Sequence, residues 1–361
     1  MSEPTDLMEA WTMRVGHEQR LNRTRRAIPK PEKDHLLVRV QAVGVCHSDC
    51  YIRDMKENIG DWAAEFVFGH EGAGEVVELG PGIDQAKFKV GDRVAIHIIP
   101  GCKECATCKL GHNRLCKMKG NGGYGLGRDG VFAEYASVQA YGCVKVPDNV
   151  SIEAAAIASD AVLTAYHAVK YTADVKPDQT IAIFGLGGLG LNGLQIAQHL
   201  GVKRILVVDK KREAVNLAVK LGVAPEDAFC TSDTDAKPIH QVVAEKGILV
   251  DTALDFVGHE QTIPSAQMVV RDLGLIVVVG LISQQAPLLP VLMTMKSLTI
   301  KGSYNGEVDA LKDCLELLSQ GVIRPEIEKT SIENLPQVME DLDNGKYQGR
   351  MVLTPDWKHI G

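Results

Sequence analysis

The sequence predicts an α/β chain of two domains, one rich in short strands and one built as a doubly wound parallel sheet. Three observations carry this. Residues 1–160 are mostly short β-branched runs broken by Gly and Pro, as at 80–82 and 91–92, which is the texture of strands and tight turns. From about Ser151 the chain turns Ala-rich and helical, then alternates strand-like and helix-like runs, which implies parallel strands joined by crossover helices. Its 361 residues exceed what one core usually serves, and 45% hydrophobic with 24% charged residues is a globular composition.

In the first domain, strands are expected at 35–45, 75–79 and 93–99. The basic cluster Arg20, Arg23, Arg25 and Arg26 lies among alternating polar and apolar neighbours and reads as a solvated hairpin or strand edge. In the second domain, strands are expected at 180–184, 204–209, 252–256, 275–279 and 298–301. Helices are expected at 189–200, 213–221 and 308–320. After Tyr304 the sequence returns to mixed character and ends in Arg350-Met351-Val352-Leu353.

Charge and composition exclude several classes of function. A formal charge of -7 with scattered Lys and Arg offers no field for nucleic acid or an anionic membrane. The N-terminus carries Glu3, Asp6 and Glu9 without a secretory apolar core, and no apolar run approaches the roughly 18 residues of a membrane span. A cytoplasmic location is expected, where the nine cysteines serve as metal ligands and buried thiols rather than disulfides.

Cys102, Cys105, Cys108 and Cys116 fall within fifteen residues. Two-residue gaps let one loop present three thiolates before a fourth arrives, the arrangement of a tetrahedral structural zinc. Four thiolates leave no open position for a substrate, so chemistry must lie elsewhere. Cys46 and His70 are candidates for an open site: a thiolate and an imidazole which, with one more ligand, would leave a zinc one free position.

The run 180–184, followed by Gly185, Gly187, Gly188, Leu189 and Gly190 and an apolar-periodic helix, has the strand, glycine turn and helix order of a pyrophosphate site. Gly125, Gly127 and Gly130 repeat the spacing but follow no strand and open no helix, so they read as loop. Asp209 ends the next strand, placed to accept from both ribose hydroxyls of NAD and to repel the 2′-phosphate of NADP. Lys210, Lys211 and Arg212 directly behind it soften that preference.

With Gly44-Val45-Cys46-His47-Ser48-Asp49, Gly69-His70-Glu71-Gly72-Ala73-Gly74, Gly91-Asp92-Arg93-Val94, the cysteine quartet and the glycine turn on the page, the chain resembles the zinc-dependent alcohol dehydrogenases of the medium-chain dehydrogenase/reductase superfamily over nearly its whole length. The resemblance implies a GroES-like β-rich catalytic domain (1–161 and 304–361) carrying the structural zinc lobe (about 100–118), and a Rossmann domain (162–303). It implies two zinc ions per chain, NAD(H), a small-molecule alcohol or carbonyl substrate, and a homo-oligomer, dimer or tetramer. The third ligand of the catalytic zinc, often cysteine in the family, falls here on Asp160, and the stretch around it is most similar to fungal carbonyl reductases acting on ketones and secondary alcohols.

The same resemblance implies roles for further residues. Asp49 orients His70, Glu71 lies behind the metal or reaches it transiently, and Ser48 relays the proton of the reacting oxygen. Tyr51 stands where the family commonly has a relay histidine, and a phenol is a poor proton acceptor at neutral pH. His47 and Arg350 are implied at the cofactor pyrophosphate, Thr164, Leu189 and Val279 near the nicotinamide, and Trp62, Ile98 and Tyr124 on the substrate pocket wall. The insertion between Tyr51 and His70 is expected to shape the entrance. Other readings are a zinc-free quinone or enoyl reductase, a reductase of C=N or C=C bonds, and a non-catalytic dinucleotide-binding protein. Metal content and a hydride-transfer assay separate them.

Overall fold

A computed structural model describes residues 6–18, 20–57, 62–116 and 122–358. Glu3, the end of the expected zinc lobe at 117–118, and 58–61 of the insertion before His70 lie outside the described residues. The chain divides into two compact units: 1–160 with 306–319 and 327–361, and 161–305 with 320–326.

In the first unit, β1 (Leu7–Met13), β2 (Leu21–Ala27) and β4 (Phe66–Val67) form a three-stranded antiparallel sheet in the order β2-β1-β4. The arginine cluster lies on or beside β2, the outer strand, where Arg23 and Arg25 pair with the buried carboxylate of Glu9. The larger sheet contains β3 (His35–Val45), β5 (Glu71–Leu79), β6 (Arg93–Ile96), β7 (Tyr135–Gln139) and β8 (Cys143–Lys145). It is completed by β15 (Ile327–Ser331) and β16 (Arg350–Thr354), in the order β15-β16-β3-β5-β6-β8 with β7 on β3. The strand expected at 93–99 stops at Ile96, because His97 turns its ring to cap the backbone of Ile99 and Gly306.

β3 is the spine of this unit, pairing with β5, β7 and β16. Its long buried run brings Val43 and Val45 into one core with Phe66, Phe68, Phe132 and Met351. Phe66, Phe68 and Phe132 meet edge to face at 6.4 and 5.7 Å, the favoured aromatic geometry. This rigid block holds the adjoining ends of β3, β5 and β16.

The second unit is a six-stranded, wholly parallel sheet: β9 (Thr180–Phe184), β10 (Arg204–Asp209), β11 (Ala228–Cys230), β12 (Val250–Asp255), β13 (Val270–Val278) and β14 (Thr299–Gly302). The order β11-β10-β9-β12-β13-β14 reverses direction between β9 and β12. That reversal opens a crevice at the carboxyl ends of the strands, the place where doubly wound sheets bind ligands. Strands β9, β10 and β12 are almost wholly buried, as a sheet covered on both faces requires.

Candidate active site

Cys46 follows β3 and caps the helix His47–Asp54. Its backbone N–H donates to Asp49 Oδ2 at 2.9 Å, half of the reciprocal arrangement that satisfies a helix start. The other oxygen of Asp49 lies 2.9 Å from His70 Nδ1, an ion-pair contact without the alignment of a hydrogen bond. One buried carboxylate therefore fixes both the cysteine backbone and the imidazole.

His70 and Glu71 enter β5 from Gly69, whose positive φ of 82° and contact with the Phe132 ring exclude a side chain. Gly125 and Gly130 bring their backbones against Gly69 from outside, so these glycines build the wall behind His70. Gly44 has a similar packing role, since a Cβ there would stand 2.0 Å from Glu71 Oε2.

Asp160 sits in a π-helical stretch, Ala158–Val162, a widened turn of the sort that recurs at functional sites. Donor atoms of Cys46, His70, Glu71 and Asp160 all lie within 4.8 Å of one another. His70 Nε2 and Asp160 Oδ2 are 3.7 Å apart, too far for a hydrogen bond, yet the ligands of a tetrahedral zinc lie about 3.3–3.8 Å from each other.

Electrostatics point the same way. Two carboxyl groups and a thiol face a single guanidinium, that of Arg350, which lies 2.8 Å from Glu71 Oε1 and 3.3 Å from Asp160 Oδ2. Burial pushes the Glu71 carboxyl well above its usual range, against the pull of Arg350. Burial opposes charge on His70 too, but the Asp49 and Asp160 carboxylates prevail and hold its pKa well above the ordinary imidazole value. Burial likewise opposes ionisation of Asp160, and the nearby His70 and Arg350 outweigh it and lower its pKa. Neither oxygen of Glu71 accepts an aligned hydrogen bond among the described residues. A buried cluster of sulfur, nitrogen and oxygen donors, with carboxylate oxygens that accept no aligned hydrogen bond among the described residues, fits a divalent cation.

The cysteine quartet is a second, separate cluster in the same unit. Cys102 and Cys108 place their sulfurs 3.8 Å apart, and Cys105 and Cys116 4.0 Å, close to the edge of a tetrahedron with 2.3 Å zinc–sulfur bonds and far beyond a disulfide. Gly101 and Lys103, both at positive φ, turn the backbone so that the N–H groups of Cys105 and Cys108 donate to the sulfurs of Cys102 and Cys105. Such N–H donors draw the Cys102 thiol down to about 6.

In the second unit, Gly185 follows β9 at φ 86°, and a Cβ on Gly190 would meet Gly185 O at 1.7 Å. Gly187 faces open space, room for a phosphate near the start of the helix Gly190–His199. Asp209 closes β10, its two oxygens accepting from Leu186 N at 2.6 Å and Lys211 N at 2.8 Å, which leaves further lone pairs for a ribose. Asp255 does parallel work at the end of β12, accepting from Val257 N, Gly258 N and Thr262 Oγ1. Sequence reasoning passed over Asp255, and it read Gly44 only as part of a motif, without its packing role. The available signals were a strand-final Asp three residues before Gly258, and a Gly inside a long strand.

Comparison with known proteins matches residues 32–148 to the alcohol dehydrogenase GroES-like domain and residues 188–320 to the zinc-binding dehydrogenase family. An alcohol dehydrogenase of Geobacillus stearothermophilus is 35% identical over 90% of this chain and 93% of its own. The chain belongs to the zinc-binding alcohol dehydrogenase family. It is an oxidoreductase of the alcohol dehydrogenase type. Among solved structures, acetophenone reductase from Geotrichum candidum, determined with NAD, superposes with a TM-score of 0.86 at 30% identity over 98% of both chains. The alcohol dehydrogenase of Aeropyrum pernix gives 0.86 at 27% identity, covering 96% of this chain and all of that one.

Within the dehydrogenase, several residues stand elsewhere than the resemblance implies. Arg350, expected at the cofactor pyrophosphate, is only 5% exposed and committed to Glu71 and Asp160, because β16 runs beside β3 and carries it into the metal cluster. Tyr51, expected in the relay, is 45% exposed and makes no hydrogen bond among the described residues. Ile98 and Tyr124 are core rather than pocket wall. Ile98 packs with the cysteine lobe, and the buried Tyr124 accepts from Gln139 N beneath the guanidinium of Arg128. Trp62 is half-buried on Phe66 and fills the space a Cβ on Gly127 would need.

The remaining residues are placed simply. Ser48 Oγ donates to Cys46 Sγ at 3.0 Å and lies 3.5 Å from His70 Nε2. His47 is exposed, Leu189 half-buried, and Thr164 and Val279 are buried. Among the described residues, no helix is long and apolar enough to cross a membrane.

Proposed function

We propose that this dehydrogenase transfers a hydride between NAD(H) and a secondary alcohol or ketone, using two zinc ions per chain. The observation that carries the reading is Asp160, an oxygen donor standing with Cys46 and His70 where a third thiolate would be commoner in the family. A harder ligand set leaves the metal a stronger Lewis acid, which favours work on a carbonyl oxygen. The likeness to acetophenone reductase, a ketone-reducing enzyme by its name, supports the same substrate class.

Cys46, His70 and Asp160 would hold the catalytic zinc, Glu71 standing as an alternative oxygen donor, and the cysteine quartet the structural one. When bound, the catalytic zinc supplies Lewis-acid polarisation of the substrate oxygen and the nicotinamide supplies or accepts the hydride. The chain's own residues do the rest. Ser48 Oγ, beside the sulfur and the imidazole, holds and passes the proton of the reacting oxygen. Asp49 keeps the proton of His70 on Nδ1, leaving Nε2 free as a donor pair. Arg350 offsets the carboxylates so that Asp160 stays ionised. Asp209 orients the adenosine ribose, and the Gly187 turn admits the pyrophosphate. A cytoplasmic homo-oligomer completes the reading.

The test is metal analysis joined to a substrate panel. About two zinc per chain is expected, with secondary alcohols and ketones turned over faster than primary alcohols and aldehydes when NAD(H) is supplied. Zinc-free protein that still turns over, or a clear preference for primary alcohols, contradicts the proposal.

A further inference from the structure

The adenosine end of the cofactor cleft contains an ion pair that none of the motifs accounts for. β10 and β11 end side by side, with Asp209 in register with Cys230 and Thr231 N donating to Asp209 O at 2.9 Å. The loop that follows β11 therefore starts beside the carboxylate that faces the ribose. It borders a cleft of about 560 Å³ lined by Val208, Arg212, Cys230, Ser232 and Asp233, among others.

Arg212 opens the helix Arg212–Lys220, three residues past Asp209, and its Nη2 donates to Asp233 Oδ2 across this cleft. Both side chains are close to half exposed, 42% and 46%. A pair so exposed adds little to stability, so its consequence is where it puts the guanidinium. A free Arg at this end of a dinucleotide site is the usual partner of a 2′-phosphate, whose oxygens match its planar donor fork.

We infer that Asp233 is a specificity-determining residue: it occupies Arg212, denying a 2′-phosphate its counter-charge and reinforcing the repulsion from Asp209. The inference rests on reading the second unit as the NAD site. Sequence alone suggested the opposite influence, since Lys210, Lys211 and Arg212 read as softening the preference for NAD. Asp233 lies 21 residues beyond Arg212 and meets it only because β11 lies next to β10. Cofactor preference is thus set by two carboxylates, one that excludes the phosphate and one that ties up its receptor.

Equilibrium titration of the full-length protein with NAD and with NADP, followed calorimetrically, tests this without relying on turnover. Asp233→Ala and the more conservative Asp233→Asn should each raise the ratio of NADP to NAD affinity about 5-fold at low salt, the scale of one exposed charge interaction, and less at high salt. Adding Arg212→Ala to either variant should return the ratio to the wild-type value. An unchanged ratio in both single variants, or a gain that survives loss of Arg212, overturns the inference while leaving the NAD site intact. Wild-type protein that binds neither dinucleotide overturns the cofactor reading itself, and the inference with it.

Discussion

The two metal-competent clusters of the first unit are built in opposite ways. The cysteine quartet comes from one loop of fifteen residues, with sulfurs bonded by the loop's own N–H groups. The Cys46 cluster draws donors from positions 46, 70, 71 and 160, with Arg350 and Asp49 behind them, and they arrive on four separate segments: the start of the helix His47–Asp54, the start of β5, the π-helical stretch and β16. The first is shaped by its own loop. The second takes its shape from the sheet and spends that rigidity on holding buried charges close together. A site of the first kind suits architecture, and one of the second suits chemistry, because its donors are not forced to close around the ion.

This contrast gives ordered expectations. Cys46→Ala should lower kcat by about 10³-fold or more, remove about one zinc of two and leave the melting temperature within about 2 °C, as the sheet needs no metal. Cys105→Ala should do the reverse, lowering the melting temperature by about 5 °C or more through loss of the lobe's organising ion. Zinc analysis with thermal unfolding reads both, and a Cys46 variant that loses both ions and melts early would erase the distinction.

Gly44→Ala comes next. Its Cβ would stand 2.0 Å from Glu71 Oε2 and 2.9 Å from Ile157 Cγ2, so about 1–3 kcal/mol of stability should be lost, with activity falling as Glu71 is displaced. Urea unfolding compared with kcat/KM checks this, and a neutral substitution would show that Glu71 has room to move.

His97 then probes the scaffold alone. Its ring is wholly buried, Nδ1 accepting from Ile99 N and Nε2 donating to Gly306 O, and burial lowers its pKa from 6.5 to about 4. The unfolded chain binds a proton between those values and the folded chain does not, so stability is full above about pH 6.5 and declines as pH falls toward about 4, by roughly 3 kcal/mol at most. His97→Gln should flatten the pH dependence of unfolding in that window, and an equal slope in both proteins would refute it. The smallest effect is expected at Tyr51, where Tyr51→Phe should change the rate of alcohol oxidation less than about 2-fold between pH 6 and 9, since its exposed hydroxyl makes no hydrogen bond among the described residues. A larger loss would return Tyr51 to the relay.

What was legible in the sequence follows from how local each signal is. Strands 35–45, 180–184 and 204–209 coincide with β3, β9 and β10, since their patterns are decided within the segment. The glycine turn and Asp209 were readable for the same reason. The strand expected at 275–279 runs from Val270 to Val278, because Val270 pairs with Val250 ahead of a register shift, with Leu273 at φ 61°, after which pairing resumes at Leu275. Arg350 was misplaced because its partners are nearly two hundred residues or more away, at Glu71 and Asp160, and only the β3–β16 pairing brings them together. Asp233, and the packing role of Gly44, stayed silent on the same ground. Each is defined by an atom that approaches from elsewhere in the fold.

Asp49 shows how narrow such an arrangement is. One of its oxygens must accept from Cys46 N, and the other faces His70 Nδ1. Exchange of that second oxygen for an amide nitrogen, as in Asp49→Asn, would keep the helix cap, the packing and the volume. It would also oblige Nδ1 to accept, moving the ring proton to Nε2, the side from which the imidazole must offer a lone pair. The handedness of a single proton, set from behind the ring, separates a ligand from a bystander.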